Sequence, residues 1–467
     1  MRKGESQMRK IIFLVLLACC LPLANCAQPV EQQPDTAQSI TQLIEEAKCK
    51  VYPCLVRIDA RKYVYSRGKK SRSGGTGSGT VIDDQGHVLT NYHVAGGATE
   101  IKCTLYNQEM VSAKLVGEDP WTDLALIKLD MEELEKKNIK LYVAELGDSQ
   151  DIKVGDFVMA MGTPFGLSRS VSLGIIGNDE RFLGDSMRLP DGKATGVFNN
   201  WIQTDASINP GNSGGPLVSL GGKVIGVNAR AIPGASTGFA IPIDIAKEMI
   251  RKALAHPEGK VVRSWLGLQF QKTQDLERYL ETGKNEGVII KQVEKGSPAS
   301  KAGVRNLDIL IEINGEKVST RFDEQLPKVR KTIADMPVGT DVKLVVLRNG
   351  RRKEFAMKTA ELGASVGEDE EIKEWGITIR AITKLMAQER KLPDTHGVYV
   401  TGVKPYEKAA KAKLQGGDII THIDKKLVED FEAFKTMVKE CIDSGKKDVV
   451  LKVRRDKAVN FILIKND

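Results

Sequence analysis

Gly211-Asn212-Ser213-Gly214-Gly215-Pro216 sets a serine between glycines. Flanking glycines allow a turn sharp enough to present the hydroxyl. They keep Cβ atoms away from an approaching chain, and they leave backbone N–H groups that can point at a carbonyl oxygen. Strings of Gly, Ser and Asn are common as plain turns, so the reading depends on what else the chain carries. Two upstream segments supply partners. Thr90-Asn91-Tyr92-His93-Val94 ends an apolar stretch in a histidine, and Thr122-Asp123-Leu124-Ala125-Leu126-Ile127 puts an aspartate at the mouth of a strand. Serine is a weak nucleophile until a base takes its proton, and a histidine steadied by a carboxylate is such a base.

The order His93, Asp123, Ser213 is that of the chymotrypsin-like proteases, not the Ser-Asp-His order of α/β-hydrolases or the Asp-His-Ser order of subtilisins. With Pro210-Gly211-Asn212-Ser213-Gly214-Gly215-Pro216-Leu217 and, downstream, Gly238-Phe239-Ala240-Ile241-Pro242, the chain resembles the HtrA (Deg) family of envelope serine proteases from about residue 50 onward. In that reading Ser213 attacks, His93 is the base and Asp123 orients it. The N–H groups of Gly211 and Ser213 form the oxyanion hole. The resemblance implies an ATP-independent endopeptidase without cofactor or metal, acting on unfolded proteins and peptides, and built as a homotrimer or multiples of one. Two other readings stand beside it: a chaperone or peptide-sensing scaffold whose proteolysis is secondary, and a signalling protease that cuts one regulator.

Two further residues carry mechanism. Asn212 stands where zymogen-type enzymes place an aspartate against a newly cut N-terminus, and a neutral side chain makes no such ion pair, so loop ordering is the expected switch. Ser207 lies six residues before Ser213, where a trypsin-like pocket needs Asp at its base. With Ile208 and Val227 it predicts an uncharged pocket for small or medium aliphatic side chains.

At 467 residues, the length suggests roughly three domains. The formal charge of +8 comes from 69 basic and 61 acidic residues spread along the chain, which argues against a nucleic-acid binder. The run Gly74-Gly75-Thr76-Gly77-Ser78-Gly79 lacks the Lys-Ser/Thr of a phosphate loop and precedes a strand, so it reads as a short flexible loop. His87 carries no partner pattern and reads as a strand-edge residue.

Basic residues Arg2, Lys3, Arg9 and Lys10 precede an apolar run at 11–18 that is too short to span a bilayer, the layout of an export signal over 1–26. Leu16-Leu17-Ala18-Cys19 fits a lipobox, with Cys19 the lipidated residue and a membrane tether the result. Cys26 is the second candidate, and ordinary secretion the third reading. Beyond the signal, Cys49 and Cys54 lie close enough for a local disulfide in an oxidising compartment. Cys103 and Cys441 read as packing residues.

Residues 27–50 read as a polar tether with a helix at 39–48. Short alternating runs at 55–60, 79–82, 87–90, 100–105, 111–116 and 123–129 make one set. Runs at 156–161, 171–176, 201–204, 217–218, 223–228 and 238–241 make a second. Six and six, with His and Asp from the first and Ser from the second, predict a mainly β fold: a double β-barrel over 51–256, closed by a helix at 243–255. An internal repeat follows. Trp265 and Trp375, Ala299 and Ala409, Asp308 and Asp418, and Ile313 and Ile423 are each 110 apart. These copies resemble α+β PDZ domains of the bacterial arrangement, at 262–360 and 375–467, with a linker at 361–374. Trp265, Leu266, Gly267 and Leu268 match the loop that receives a C-terminal peptide. The second copy has Trp375-Gly376-Ile377-Thr378, with the glycine displaced and Lys425 in place of the turn glycine Gly315. It reads either as a second peptide site or as a spacer.

Overall fold

The computed structural model describes residues 39–163, 170–184, 187–189, 191–232, 234–280, 286–364, 366–456 and 458–466. The segment expected to be an export signal, with Cys19 and Cys26, lies outside the described residues. Two units are distinguished, 1–43 and 44–467. Of the first, only 39–43 is described, carrying the opening turn of the helix Ile40–Val51. None of the described helices is long and apolar enough to cross a membrane.

Two six-stranded closed barrels begin the second unit. The first is built from β1 (Leu55–Ser66), β2 (Lys69–Val81), β3 (His87–Asn91), β4 (Glu100–Thr104), β5 (Met110–Asp119) and β6 (Leu124–Leu129). The second is built from β7 (Phe157–Gly162), β8 (Ser170–Arg181), β9 (Trp201–Thr204), β10 (Pro216–Ser219), β11 (Val224–Ala231) and β12 (Gly238–Pro242). Strand orders are β1-β2-β3-β6-β5-β4 and β10-β11-β12-β9-β8-β7. Inward positions of each are filled by β-branched and aliphatic side chains, Val56, Ile58, Val88 and Ile127 in the first, Val158, Ile176, Ile202 and Leu217 in the second. A third cluster, Leu89, Leu126, Trp201, Val227, Ile241 and Met249, welds the barrels together. The helix Ile243–Ala255 drops Ala246, Met249 and Ala253 onto that seam at helical spacing.

The glycine run differs from its expected form. It is not a loop but the second half of a long hairpin, in register from Leu55↔Thr80 to Ser66↔Lys69. The turn Arg67-Gly68 has both φ values positive (51° and 76°), as a two-residue hairpin of the twist-matched type requires. Glycine disguises the strand because it has no side chain to show a period of two. It is there for space: a Cβ at Gly77 would stand 2.6 Å from the methyls of Val94, and one at Gly79 would stand 2.5 Å from Val88.

Each repeat folds as a sheet with one long helix. In the first module the strands Leu268–Gln271, Val288–Val293, Ile309–Ile313, Asp341–Arg348 and Arg351–Lys358 pair in that order, with the helix Leu326–Ala334. In the second, Asp369–Ile372 precedes Ile377–Ala381, Val398–Val403, Ile419–Ile423, Asp448–Arg455 and Ala458–Lys465, with the helix Phe431–Asp443. The strand Asp369–Ile372 falls inside the segment expected to be linker. Ile372 is buried and Asp369 pairs with Arg380 at 2.7 Å, so the acidic stretch belongs to the sheet.

Cys49 and Cys54 are not bonded to each other. Cys49 is exposed on its helix, whereas Cys54 is buried with its thiol toward the Lys50 carbonyl at 3.4 Å. Burial pushes the Cys54 thiol up to about 11. Cys103 is fully buried in the first barrel, as a packing residue should be.

Candidate active site

His93 sits in the one-turn helix Tyr92–Ala95 that ends β3, and Asp123 in the turn between β5 and β6. Closing the first barrel pairs β3 with β6 and brings the two together. The Asp123 carboxylate is fully buried. Its oxygens lie 3.0 and 2.9 Å from His93 Nδ1, and Oδ1 also accepts the His93 main-chain N–H at 3.0 Å. Asp123 has φ +62°, a left-handed conformation that is costly for a residue with a Cβ. It is held there by its carbonyl, which accepts from Tyr92 N–H and from Asn91 Nδ2, each at 3.0 Å.

Ser213 comes from the second barrel and is fastened to the first: its carbonyl accepts the Ser78 N–H at 2.8 Å. Gly77, the neighbour of Ser78, is hemmed between Val94, next to His93, and the Ser213 carbonyl, which a Cβ would meet at 3.1 Å. Gly214 has φ +82°, and a Cβ there would lie 2.2 Å from the Ser78 carbonyl and Thr90 Oγ1. Glycine at 214 is therefore dictated twice, by dihedral and by space. The Gly211 carbonyl accepts Ser78 Oγ at 2.6 Å, so the turn on both sides of Ser213 is tied to β2. The N–H groups of Gly211 and Ser213 donate to nothing among the described residues. The Ser213 hydroxyl lies 3.4 Å from the Ala229 carbonyl, and no hydrogen bond joins it to His93 among the described residues. Such contacts commonly tighten only when substrate is bound.

Of the residues expected at the pocket, Ser207 is exposed and its carbonyl accepts Ser172 Oγ at 2.8 Å. Ile208 is buried against Gly238, where a Cβ would come within 2.8 Å of Ile208 Cδ1. Val227 is a correction. It lies in the seam between the barrels with Trp201 and Ile241, because β11 turns that face to the core. His87 also departs from its expected isolation: Nδ1 is 2.7 Å from Asp83 Oδ2. Asn91 and Ser78 were invisible as site residues in the sequence, since each acts on main chain that only barrel closure brings near.

Trp265, Leu266, Gly267 and Leu268 line a cavity of about 320 Å³ with Phe270, Arg330 and Ile333 of the same module and Trp121, Val197 and Phe198 of the double barrel. Trp121 is two residues before Asp123. Its carbonyl accepts Gly196 N–H at 2.9 Å, and its ring meets Phe198 at 6.1 Å. Arg263 fastens this module to the barrels from a buried position, reaching Asp119 at 2.5 Å and Asp335 at 2.7 Å.

In the second module the glycine is not displaced in space. Gly376 has φ +69° and its carbonyl accepts Lys404 N–H at 2.8 Å, as the Gly267 carbonyl accepts Glu294 N–H at 2.9 Å. Trp375 therefore takes the place of Leu266, each accepting an alanine N–H at 3.1 Å. The indole is fully buried edge-on to Phe434. The β1–β2 hairpin tip abuts this loop, and a Cβ at Gly68 would fall 2.2 Å from Lys404 N.

A trypsin-like peptidase domain matches residues 77–227, and a PDZ domain matches 264–359. A probable periplasmic serine endoprotease, DegP-like, of Chlamydia trachomatis is 34% identical over 404 residues, 85% of this chain and 76% of the relative. The protein so named in Pseudomonas putida strain W619 is 33% identical over 413 residues, 85% of this chain and 81% of its own. Among solved structures, the HtrA-type protease AlgW with a decapeptide superposes with TM-score 0.55 at 28% identity, covering 70% of this chain and 99% of the other. The serine endoprotease from Yersinia pestis does so with TM-score 0.51 at 28% identity, again over 70% of this chain and 99% of the other.

Proposed function

Because the chain belongs to the DegP-like, HtrA-type serine endoproteases, we propose that His93, Asp123 and Ser213 carry its peptide-bond hydrolysis. Ser213 Oγ attacks the scissile carbonyl as His93 Nε2 takes its proton. The developing oxyanion is met by the N–H groups of Gly211 and Ser213. His93 then protonates the leaving amine, and water, activated by the same imidazole, releases the acyl group. The observation that carries this reading is the buried Asp123 carboxylate against His93 Nδ1, which leaves Nε2 as the acceptor. The two uncommitted N–H groups beside Ser213 support it.

The substrates are unfolded proteins and peptides, with small or medium aliphatic residues at an uncharged pocket formed around Ser207 and Ile208. The groove at residues 265–268 receives C-terminal peptides. The chain works in the periplasm, as its relatives are named, as a homotrimer or a multiple of one, tethered by lipid at Cys19. Casein hydrolysis tests the chemistry. Ser213→Ala should lose about 10⁴-fold or more in kcat with an unchanged melting point. Retention of a tenth of the activity would remove Ser213 from the mechanism. Cys19→Ala should move the protein from the membrane to the soluble envelope fraction, and release by Cys26→Ala alone would reassign the anchor.

A further inference from the structure

We propose that Arg230 is a positioning residue that sets the charge balance of the His93–Asp123 pair, resting on the catalytic reading above. The register between β11 and β12 slips between Asn228 and Arg230, leaving Ala229 as an extra residue. Such a bulge re-aims the side chain that follows. Ala229 turns its carbonyl to the Ser213 hydroxyl, and the Arg230 guanidinium reaches toward Asp123. Its Nη2 lies 4.0 Å from Asp123 Oδ2, and its Nη1 donates to the Arg188 carbonyl at 3.5 Å. The guanidinium also lies over the Trp201 ring, 5.9 Å from the centroid, with Nε buried and unpartnered.

The Asp123 carboxylate receives hydrogen bonds from His93 alone among the described residues. Alanine at 229 has no hydroxyl or amide to add another. Arg230 is therefore the second group addressing this carboxylate. Other charges packed around the pair are already engaged. Asp191 and Lys193 pair with each other and with Tyr92, Glu118 accepts the Gly97 N–H, and Asp119 is held by Arg263. Among the described residues, Arg230 has no carboxylate partner other than Asp123.

Two consequences follow from a cation there. It competes with the imidazolium for the Asp123 carboxylate, so removing it should let Asp123 hold the protonated ring more tightly. It also places one guanidinium between the Asp123 carboxylate and the Arg188 main-chain carbonyl.

The test is the pH dependence of kcat/KM on a fluorogenic peptide for the full chain, Arg230→Gln and Arg230→Lys, with Ser213→Ala as control. Arg230→Gln should move the acid limb up by about half a unit or more, a loss of about threefold below it. Arg230→Lys, which keeps the charge, should stay near the parent. A purely packing role would lower the plateau equally at all pH values. If the acid limb of Arg230→Gln superimposes on the parent, the assignment is wrong. Should its melting curve show that it does not fold, Arg230→Met, an uncharged side chain of similar reach, is read in the same way. Hydrolysis surviving in Ser213→Ala would instead overturn the catalytic reading itself.

Discussion

Asn91 donates its side-chain amide to the main-chain carbonyl of Asp123 at 3.0 Å, and both residues are fully buried. The bond joins the end of β3, which leads into His93, to the left-handed residue that carries the carboxylate. His93 and Asp123 are thus locked through main chain as well as through their side chains. Replacing Asn91 with Ala should cost about 1–3 kcal/mol of stability. By loosening Asp123, it should also lower kcat by about tenfold or more with KM little changed. Thermal unfolding and steady-state kinetics together read this, and an unaltered kcat would confine Asn91 to a packing role.

Asp123→Asn tests the other half of the same contact. An amide facing Nδ1 donates where the carboxylate accepts, so His93 is held in the wrong tautomer. The expected loss in kcat is about 10⁴-fold with the fold retained. A mild effect in the same casein assay would mean that another group orients His93.

Arg263 is the buried cation at the junction of the first module and the double barrel. Arg263→Ala leaves Asp119 buried without its partner, which should cost about 3–5 kcal/mol. Calorimetry should show that loss, and limited proteolysis should open the segment between Ala255 and Ser264 first. Equal protease resistance in the variant would show that the junction is held elsewhere.

Acid should act at the same junction. Burial pushes the Asp335 carboxyl up, but hydrogen bonds from Lys331 and Lys252 outweigh it and hold the group at about 2. A carboxylate depressed in the folded state contributes its stability above its unfolded value, near 4, and loses it as pH falls toward 2. About 2 kcal/mol should therefore disappear between pH 4 and pH 2. Asp335→Asn should flatten that part of the curve of melting temperature against pH. An identical slope in the variant would contradict it.

Lys425 has φ +79° at the turn where the first module has Gly315 at +86°. A side chain in the left-handed region costs about 1–2 kcal/mol, and glycine returns part of that as backbone entropy. Lys425→Gly should therefore stabilise the second module by about 0.5–1 kcal/mol, read as a rise in its melting temperature. A fall would show that the Lys425 side chain is held by contacts of its own.

The strands of both barrels were legible because alternating Val, Ile and Leu report a half-buried surface residue by residue. The long hairpin was not, since glycine carries no alternation, and its need at 77 and 79 arises from Val94 and Val88 across the fold. The glycine of the second module's loop looked displaced because counting along the chain cannot see the one extra residue between Gly376 and Lys404 that the main-chain hydrogen bonds absorb. Val227 looked like a pocket residue because a strand's two faces cannot be assigned to pocket or core before the sheet closes.

By itself the sequence determined the elements and their order: two sets of six short strands, the closing helix, the repeat at 110, and a histidine, an aspartate and a serine placed in separate segments. Those are local properties, set by the period of apolar residues and by the dihedral demands of Gly, Asn and Asp. Only the tertiary structure decided which groups address which. Arg230 faces Asp123, Asn91 grips its carbonyl, Trp121 borders the first module's groove, and the hairpin tip at Gly68 meets Gly376. The physical reason is that hydrogen bonds and Coulomb interactions act across a few ångströms of space, whatever the separation along the chain. Barrel closure, not sequence proximity, sets those distances.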